Sequence, residues 1–201
     1  MTTAKSIQNF EGIFQEMQTH GMVLPVKRVY VRIQNAKEIL SNAMNYFIGL
    51  EGKKAIWLSA YDEVAGWLTD NRGRGLFLSG NCGMGKSILC RYVIPAILLK
   101  YCNKVVFVFD VQNINKDIDH VLSKHLITLD DIGTEEISVK FGEKRMAFAE
   151  IIDAAEKFGK LLIVSTNLSG NQIKERYGDR IVDRIHSTMT QVMFNGKSLR
   201  K

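Results

Sequence analysis

Residues 75–87 read "GLFLSGNCGMGKS": a short apolar run, then Gly80, four residues, and Gly85-Lys86-Ser87. A strand that turns through glycines into a helix points consecutive backbone N–H groups at one spot, at the positive end of the helix. This is the P-loop pattern G-x4-G-K-[ST], and it demands strand, tight turn and helix in that order. Gly80, Gly83 and Gly85 permit the turn, while Asn81, Cys82 and Met84 fill its variable positions. Lys86 is expected to reach the β- and γ-phosphates and Ser87 to offer its hydroxyl to Mg²⁺, so the expected ligands are ATP and Mg²⁺. Cys82 reads as a small filler, since no neighbour in sequence supplies a base to activate it.

The rest of the chain from residue 75 repeats the alternation of apolar runs with helical segments. "VVFVFDV", "HLITLDDI", "LLIVSTN" and "TQVMFN" follow the first strand. Near-continuous apolar strands separated by helices predict a five-stranded parallel sheet covered on both faces. "HLITLDDI" ends in two carboxylates, about 40 residues after the P-loop. Asp130 is expected to hold Mg²⁺ through water, and Asp131 to orient and deprotonate the attacking water. "LLIVSTN" ends in Ser165, Thr166 and Asn167, and a polar residue at that edge points into the crevice where such sheets bind ligands. Asn167 is placed to polarise the water or sense the γ-phosphate. Pro95 falls inside the helix after the P-loop and is expected to kink it or shift its start.

Near the end, "YGDRIVDRIHS" sets Arg180 and Arg184 one helical turn apart. Ser169 reads as an N-cap, "NQIKERY" as a short helix, Gly178 as its left-handed C-cap, and Asp179 as the cap of a second helix.

Before residue 75 the spacing is helical. Ile7, Phe10, Phe14 and Met17 form one amphipathic stripe, "MVLPVKRVYVRI" alternates like a strand or extended linker, and Ile39 to Leu50 return to helical spacing. A third helical segment covers roughly 55–69 and stops at "DNRGRG". Residues 1–54 are therefore taken as a helical N-terminal extension and 55–201 as the main domain. The extension is either a cap packed on that domain or a separate partner-binding module.

The charge of +6 is concentrated at the carboxyl end, where residues 170–201 carry seven basic and three acidic groups. That bias favours a polyanionic partner. Cys82, Cys90 and Cys102 are widely spaced, with no CxxC pair, which argues against a disulfide framework or a zinc site. No leader pattern and no apolar run of bilayer length is visible, so a soluble, cytoplasmic protein without membrane contact is expected.

Taken together, "GNCGMGKS", "LITLDDIGTE", "IVSTNLS", "YGDRIVDRI" and "FNGKSLRK" resemble the AAA+ ATPases of the DnaC-type replicative helicase loaders and their relatives, the IstB-type transposition helpers. The resemblance covers about residues 55–201. It implies the AAA+ (ASCE) version of the P-loop NTPase fold, with Asn167 as the sensor 1 residue and Arg184 as an arginine finger entering the ATP site of the adjacent subunit. Arg180 would support it, and Arg200 aligns with the sensor 2 arginine. Most AAA+ proteins have Asp-Glu at the end of the strand that corresponds to "HLITLDDI", the Walker B element, so Asp130-Asp131 marks the subfamily. Little or no C-terminal lid is expected. The implied function is an ATP-hydrolysing DNA replication protein that loads a DnaB-like hexameric helicase onto single-stranded DNA, working as a homo-oligomeric spiral or ring when ATP-bound. The competing readings are an IstB-like ATPase assisting transposition and a P-loop small-molecule kinase.

Overall fold

Strands that are apolar on both faces need helices on both faces, and the side chains of β1 show how that is met. The computed structural model describes residues 3–135, 138–140, 143–196 and 198–199, with the backbone alone for 3–9, 138–140 and 143–145. Three helices lead the chain: α1 (Thr3–Thr19), α2 (Ala36–Gly49) and α3 (Ser59–Thr69). Strand β1 (Gly75–Gly80) then enters α4 (Lys86–Ile88), which continues through a π-helical turn (Leu89–Val93) into α5 (Ile94–Cys102). Next come β2 (Phe107–Asp110), α6 (Ile118–Ser123) and β3 (Leu126–Ile132). A short antiparallel pair, β4 (Ser138–Lys140) and β5 (Glu143–Arg145), precedes α7 (Ala147–Phe158) and β6 (Leu161–Thr166). Helices α8 (Gly170–Tyr177) and α9 (Asp179–Thr188) lead into β7 (Met189–Phe194).

The main sheet has the order β2-β3-β6-β1-β7, and every pair in it is parallel. Successive side chains of a strand face opposite ways. Leu76 and Leu78 of β1 therefore join one core with α2, α3 and α5, while Phe77 joins the other with α6, α7, α8 and α9. Leu161 and Ile163 of β6 divide from Leu162 and Val164 in the same way. Because β6 lies between β1 and β3, the carboxyl ends of β1, β3 and β6 open side by side onto one cleft.

Part of the N-terminal extension belongs to this core. Val31, Ile33, Ala36, Leu40 and Met44 are buried in the same cluster as Leu68, Leu78 and Phe194, which is the cap alternative for residues 29–48. The buried amide of Asn71 ties that segment down. Its Oδ1 accepts from Val31 N–H at 2.8 Å, and its Nδ2 donates to the carbonyls of Val29 and Arg74 at 3.0 Å each. Residues 22–33 form no strand; they run as the extended linker alternative. Helix α1 differs: Phe10, Ile13 and Phe14 are exposed, Phe10 to 72%.

Three local expectations are corrected. The third helix begins at Ser59 rather than near 55, because Leu58 is extended and leaves Trp57 outside, its indole donating to Asp62 at 3.3 Å. Gly178 has φ 84° and ψ 165°, so it breaks the chain between α8 and α9 without the left-handed helical cap. Asp179 is the first residue of α9 instead of its cap, and its carboxylate pairs with Lys174 at 2.8 Å. Ser169 does cap α8, in a reciprocal box with Gln172.

Candidate nucleotide-binding site

The turn after β1 folds only because two glycines leave room. At Gly80 (φ 118°) a Cβ would run into the carbonyl of Phe194 on β7, and at Gly85 (φ 84°) it would lie 2.5 Å from the hydroxyl of Tyr61. Tyr61, buried on α3, donates to Met84 O at 3.2 Å and so props the loop from below. Burial pushes its phenol up to about 12. From the other side, Asn81 Nδ2 donates to Gly196 O at 2.8 Å and Leu199 N–H to Gly83 O at 3.0 Å.

Lys86 is nearly buried, and its Nζ donates to Gly80 O and Asn81 O at 2.8 Å and to Asn167 Oδ1 at 2.9 Å. All three acceptors are uncharged, so the cradle orients the ammonium while leaving its charge for an anion. Burial lowers its pKa below the ordinary lysine range, and Cys82, Asp131 and Asp130 act in the opposite direction. Asn167 turns its other end to Asp131, donating to Oδ1 at 2.6 Å.

The pairing register of β3 slips between Leu129 and Ile132, and Asp131 takes φ 65°. Ser165 on β6 holds that irregularity: its Oγ donates to Asp130 Oδ1 at 2.6 Å and accepts from Asp131 N–H at 2.9 Å. Beyond the strand, the turn is anchored by buried Glu135. Glu135 Oε2 accepts from Gly133 N–H at 2.6 Å, and its Oε1 accepts from the hydroxyl of Tyr177 on α8. Burial, then Glu135 itself, raises the Tyr177 phenol.

These groups line a cavity of about 790 Å³, within the usual range for small-molecule sites. Cys82, Gly83, Met84, Gly85, Lys86 and Ser87 form its floor, Asp130, Asp131, Ser165 and Asn167 one wall. Ile48, Ile56 and Tyr92 add an apolar side, with Lys53, Lys54 and Arg91 beside them. The donor set fits a nucleotide with its cation. No group of three or more His, Cys, Asp or Glu converges among the described residues, so a divalent ion at Ser87 and Asp130 would take its other oxygens from phosphate and water, as Mg²⁺ does.

Of the sequence-expected residues, Cys82 to Ser87, Asp130, Asp131 and Asn167 line this cavity, and Gly80 and Asn81 hold Lys86 at its edge. Arg180 and Arg184 do not line the cavity. Arg184 is 21% exposed and pairs with Asp153 and, at 2.9 Å, Glu156 on α7; Arg180 is 71% exposed and reaches Asp153 at 2.8 Å. Arg200 lies outside the described residues. Sequence reasoning missed Tyr61, Arg91 and the clasp by Ser165. A tyrosine inside a helical stripe looks like core, and nothing in a sequence says that two strands will meet at a bulge.

A family model described as Nephrocystin 3, N-terminal, matches residues 54–138, the stretch holding the P-loop and the paired aspartates. Comparison with curated protein sequences finds no match. Among solved structures, the crystal structure of the DnaC helicase loader is similar with a TM-score of 0.55 and 19% identity, over 70% of this chain and 93% of that chain. The fold is similar to that of DnaC. The crystal structure of DnaI gives 0.48 at 22% identity, over 63% of this chain and 73% of that one. AMPPCP-bound DnaA from Aquifex aeolicus gives 0.49 at 16%, over 72% and 50%. The expected architecture, a five-stranded parallel sheet covered by helices behind a P-loop with a helical N-terminal part, is observed, and its fold is similar to that of DnaC. No helix follows β7 among the described residues, and none of the described helices is long and apolar enough to cross a membrane.

Proposed function

We propose that this chain is a DnaC-type loader, an ATP-binding and hydrolysing DNA replication protein that places a hexameric helicase on single-stranded DNA. The observation that carries the reading is the relay from Lys86 through Asn167 to Asp131, which joins an ammonium, an amide and a carboxylate in one bonded series, as a phosphate-binding cation, a γ-phosphate sensor and a water-activating base would need. In this reading residues 80–87 bind the phosphates, Ser87 and Asp130 hold Mg²⁺, Asp131 takes the proton from water, and Asn167 fixes the position of both. When bound, the cation supplies charge stabilisation to the phosphoryl oxygens.

The charge that develops on the transferring phosphoryl calls for a cation beyond Lys86 and the metal ion. Arg184 of an adjacent copy would supply it, through a head-to-tail contact that builds a ring or spiral. To do so it must exchange Asp153 and Glu156 for phosphate. The apolar stripe of α1, with exposed Phe10 and Phe14 and half-buried Met17, suits the grip on the helicase, and the basic residues of 170–201 suit the DNA backbone. Residues 55–201 would then form the ATPase domain, with 29–48 as its cap.

The test is ATP turnover against protein concentration, with and without single-stranded DNA, together with retention of a hexameric helicase on the immobilised protein. Turnover that rises more steeply than linearly, and helicase retained with ATP, are expected. A linear dependence, or a preference for duplex with no helicase retained, would overturn the loader.

A further inference from the structure

Pro95 has no N–H to give to the carbonyl four residues before it, and the helix after the P-loop responds by widening. Ile94 N–H bonds to Leu89 O, five residues back, which marks the π-helical turn of Leu89–Val93. The turn buries Leu89, Cys90 and Val93 and leaves Arg91 and Tyr92 outside, both on the rim of the cavity. A proline that explains nothing by itself therefore places a guanidinium in the site.

Arg91 Nη1 lies 3.7 Å from Asp130 Oδ2. The Asp130 side chain is only 8% exposed, and its other bonded partner is the neutral hydroxyl of Ser165, so the carboxylate needs a cation nearby. Lys86 lends Asp130 its field but makes its hydrogen bonds elsewhere, to two carbonyls and Asn167. Arg91 is 44% exposed, long enough to turn, and lines the same cavity as Ser87. A divalent ion on Ser87 and Asp130 would compete with it directly for the carboxylate. The displaced guanidinium, a planar fork suited to phosphate oxygens, would then stand beside the triphosphate.

We propose that Arg91 is a phosphate ligand that exchanges partners: it balances Asp130 while no divalent cation is bound and turns to the nucleotide phosphates when a cation takes that carboxylate. The proposal rests on reading the cavity as a nucleotide site. It gives the chain a cationic group of its own at the metal-side face of the phosphates, separate from any arginine offered by a neighbour.

Two bindings measured on the full chain test it, that of Mn²⁺ alone by electron paramagnetic resonance and that of ATP with Mn²⁺ by equilibrium dialysis. In Arg91→Gln, Mn²⁺ alone should bind several-fold tighter, because its competitor is gone. ATP with Mn²⁺ should bind about tenfold weaker, the loss of one charge-assisted contact. Arg91→Lys should recover part of both changes. A merely structural role would move the two affinities in the same direction, so any pattern other than opposite signs overturns the proposal. If Lys86→Ala binds ATP as tightly as the unaltered chain, the nucleotide reading itself falls; if Lys86→Ala loses ATP while Arg91→Gln does not, only the Arg91 assignment falls.

Discussion

Lys86 and Arg184 are both cations held by several acceptors, and the acceptors differ in kind. Lys86 is cradled by two carbonyls and an amide oxygen, none of them charged. Arg184 is held by the carboxylates of Asp153 and Glu156. The first arrangement fixes a position and leaves a full positive charge for an incoming anion, whereas the second satisfies the charge within the chain. The contrast divides the proposed machinery into one part ready for its ligand and one part that must first release a partner. Release carries a cost, which a neighbouring subunit's bound phosphate would have to offset.

The largest effect that could break this contrast belongs to Arg184. Arg184→Ala should leave ATP affinity unchanged and lower turnover at high protein concentration on the order of 10³-fold, as for arginines supplied in trans elsewhere. Unchanged turnover would leave the pair with α7 as its whole role. Lys86→Ala should weaken ATP binding on the order of 100-fold in equilibrium dialysis, since several charge-assisted contacts to phosphate go together. A smaller effect concerns the floor of the loop. The folded Tyr61 phenol ionises near 12 and the unfolded one near 10, so its share of stability is complete below pH 10 and fades as pH rises toward 12. Urea unfolding should lose roughly 2 kcal/mol more over that interval in the unaltered chain than in Tyr61→Phe. The smallest change sharpens the other half of the contrast. Asp153→Asn with Glu156→Gln should free Arg184 and lower the protein concentration for half-maximal turnover by about threefold, by the scale of partly exposed ion pairs. A higher midpoint would show that α7 presents the arginine rather than withholding it.

Much of this was legible in the sequence because its signals are local. The P-loop glycines, the apolar runs of β1, β3 and β6, and the N-cap at Ser169 are each written in fewer than ten residues. A parallel sheet presents the carboxyl ends of its strands on one edge, which was legible, but that β6 lies between β1 and β3 and so brings Lys86, Asp131 and Asn167 together is seen only in the structure. What stayed hidden depends on contacts far apart in the chain. Asn71 links residues 40 positions away and so draws 29–33 into the core, which no periodicity could announce. The role of Pro95 emerges only once the widened turn is seen beside Asp130. Likewise the spacing of Arg180 and Arg184 shows a shared helix face, while the carboxylates facing them come from a helix 27 or more residues earlier.

Mixing two disabled chains tests the shared site most directly. Lys86→Ala keeps Arg184 but has no working phosphate cradle, and Arg184→Ala keeps the cradle but has no arginine to offer. If the catalytic unit is shared between neighbours, equal mixtures at high concentration should regain a substantial fraction of turnover that neither chain shows alone. Turnover of the mixture no greater than the sum of its two components would contradict an arginine acting across the subunit boundary.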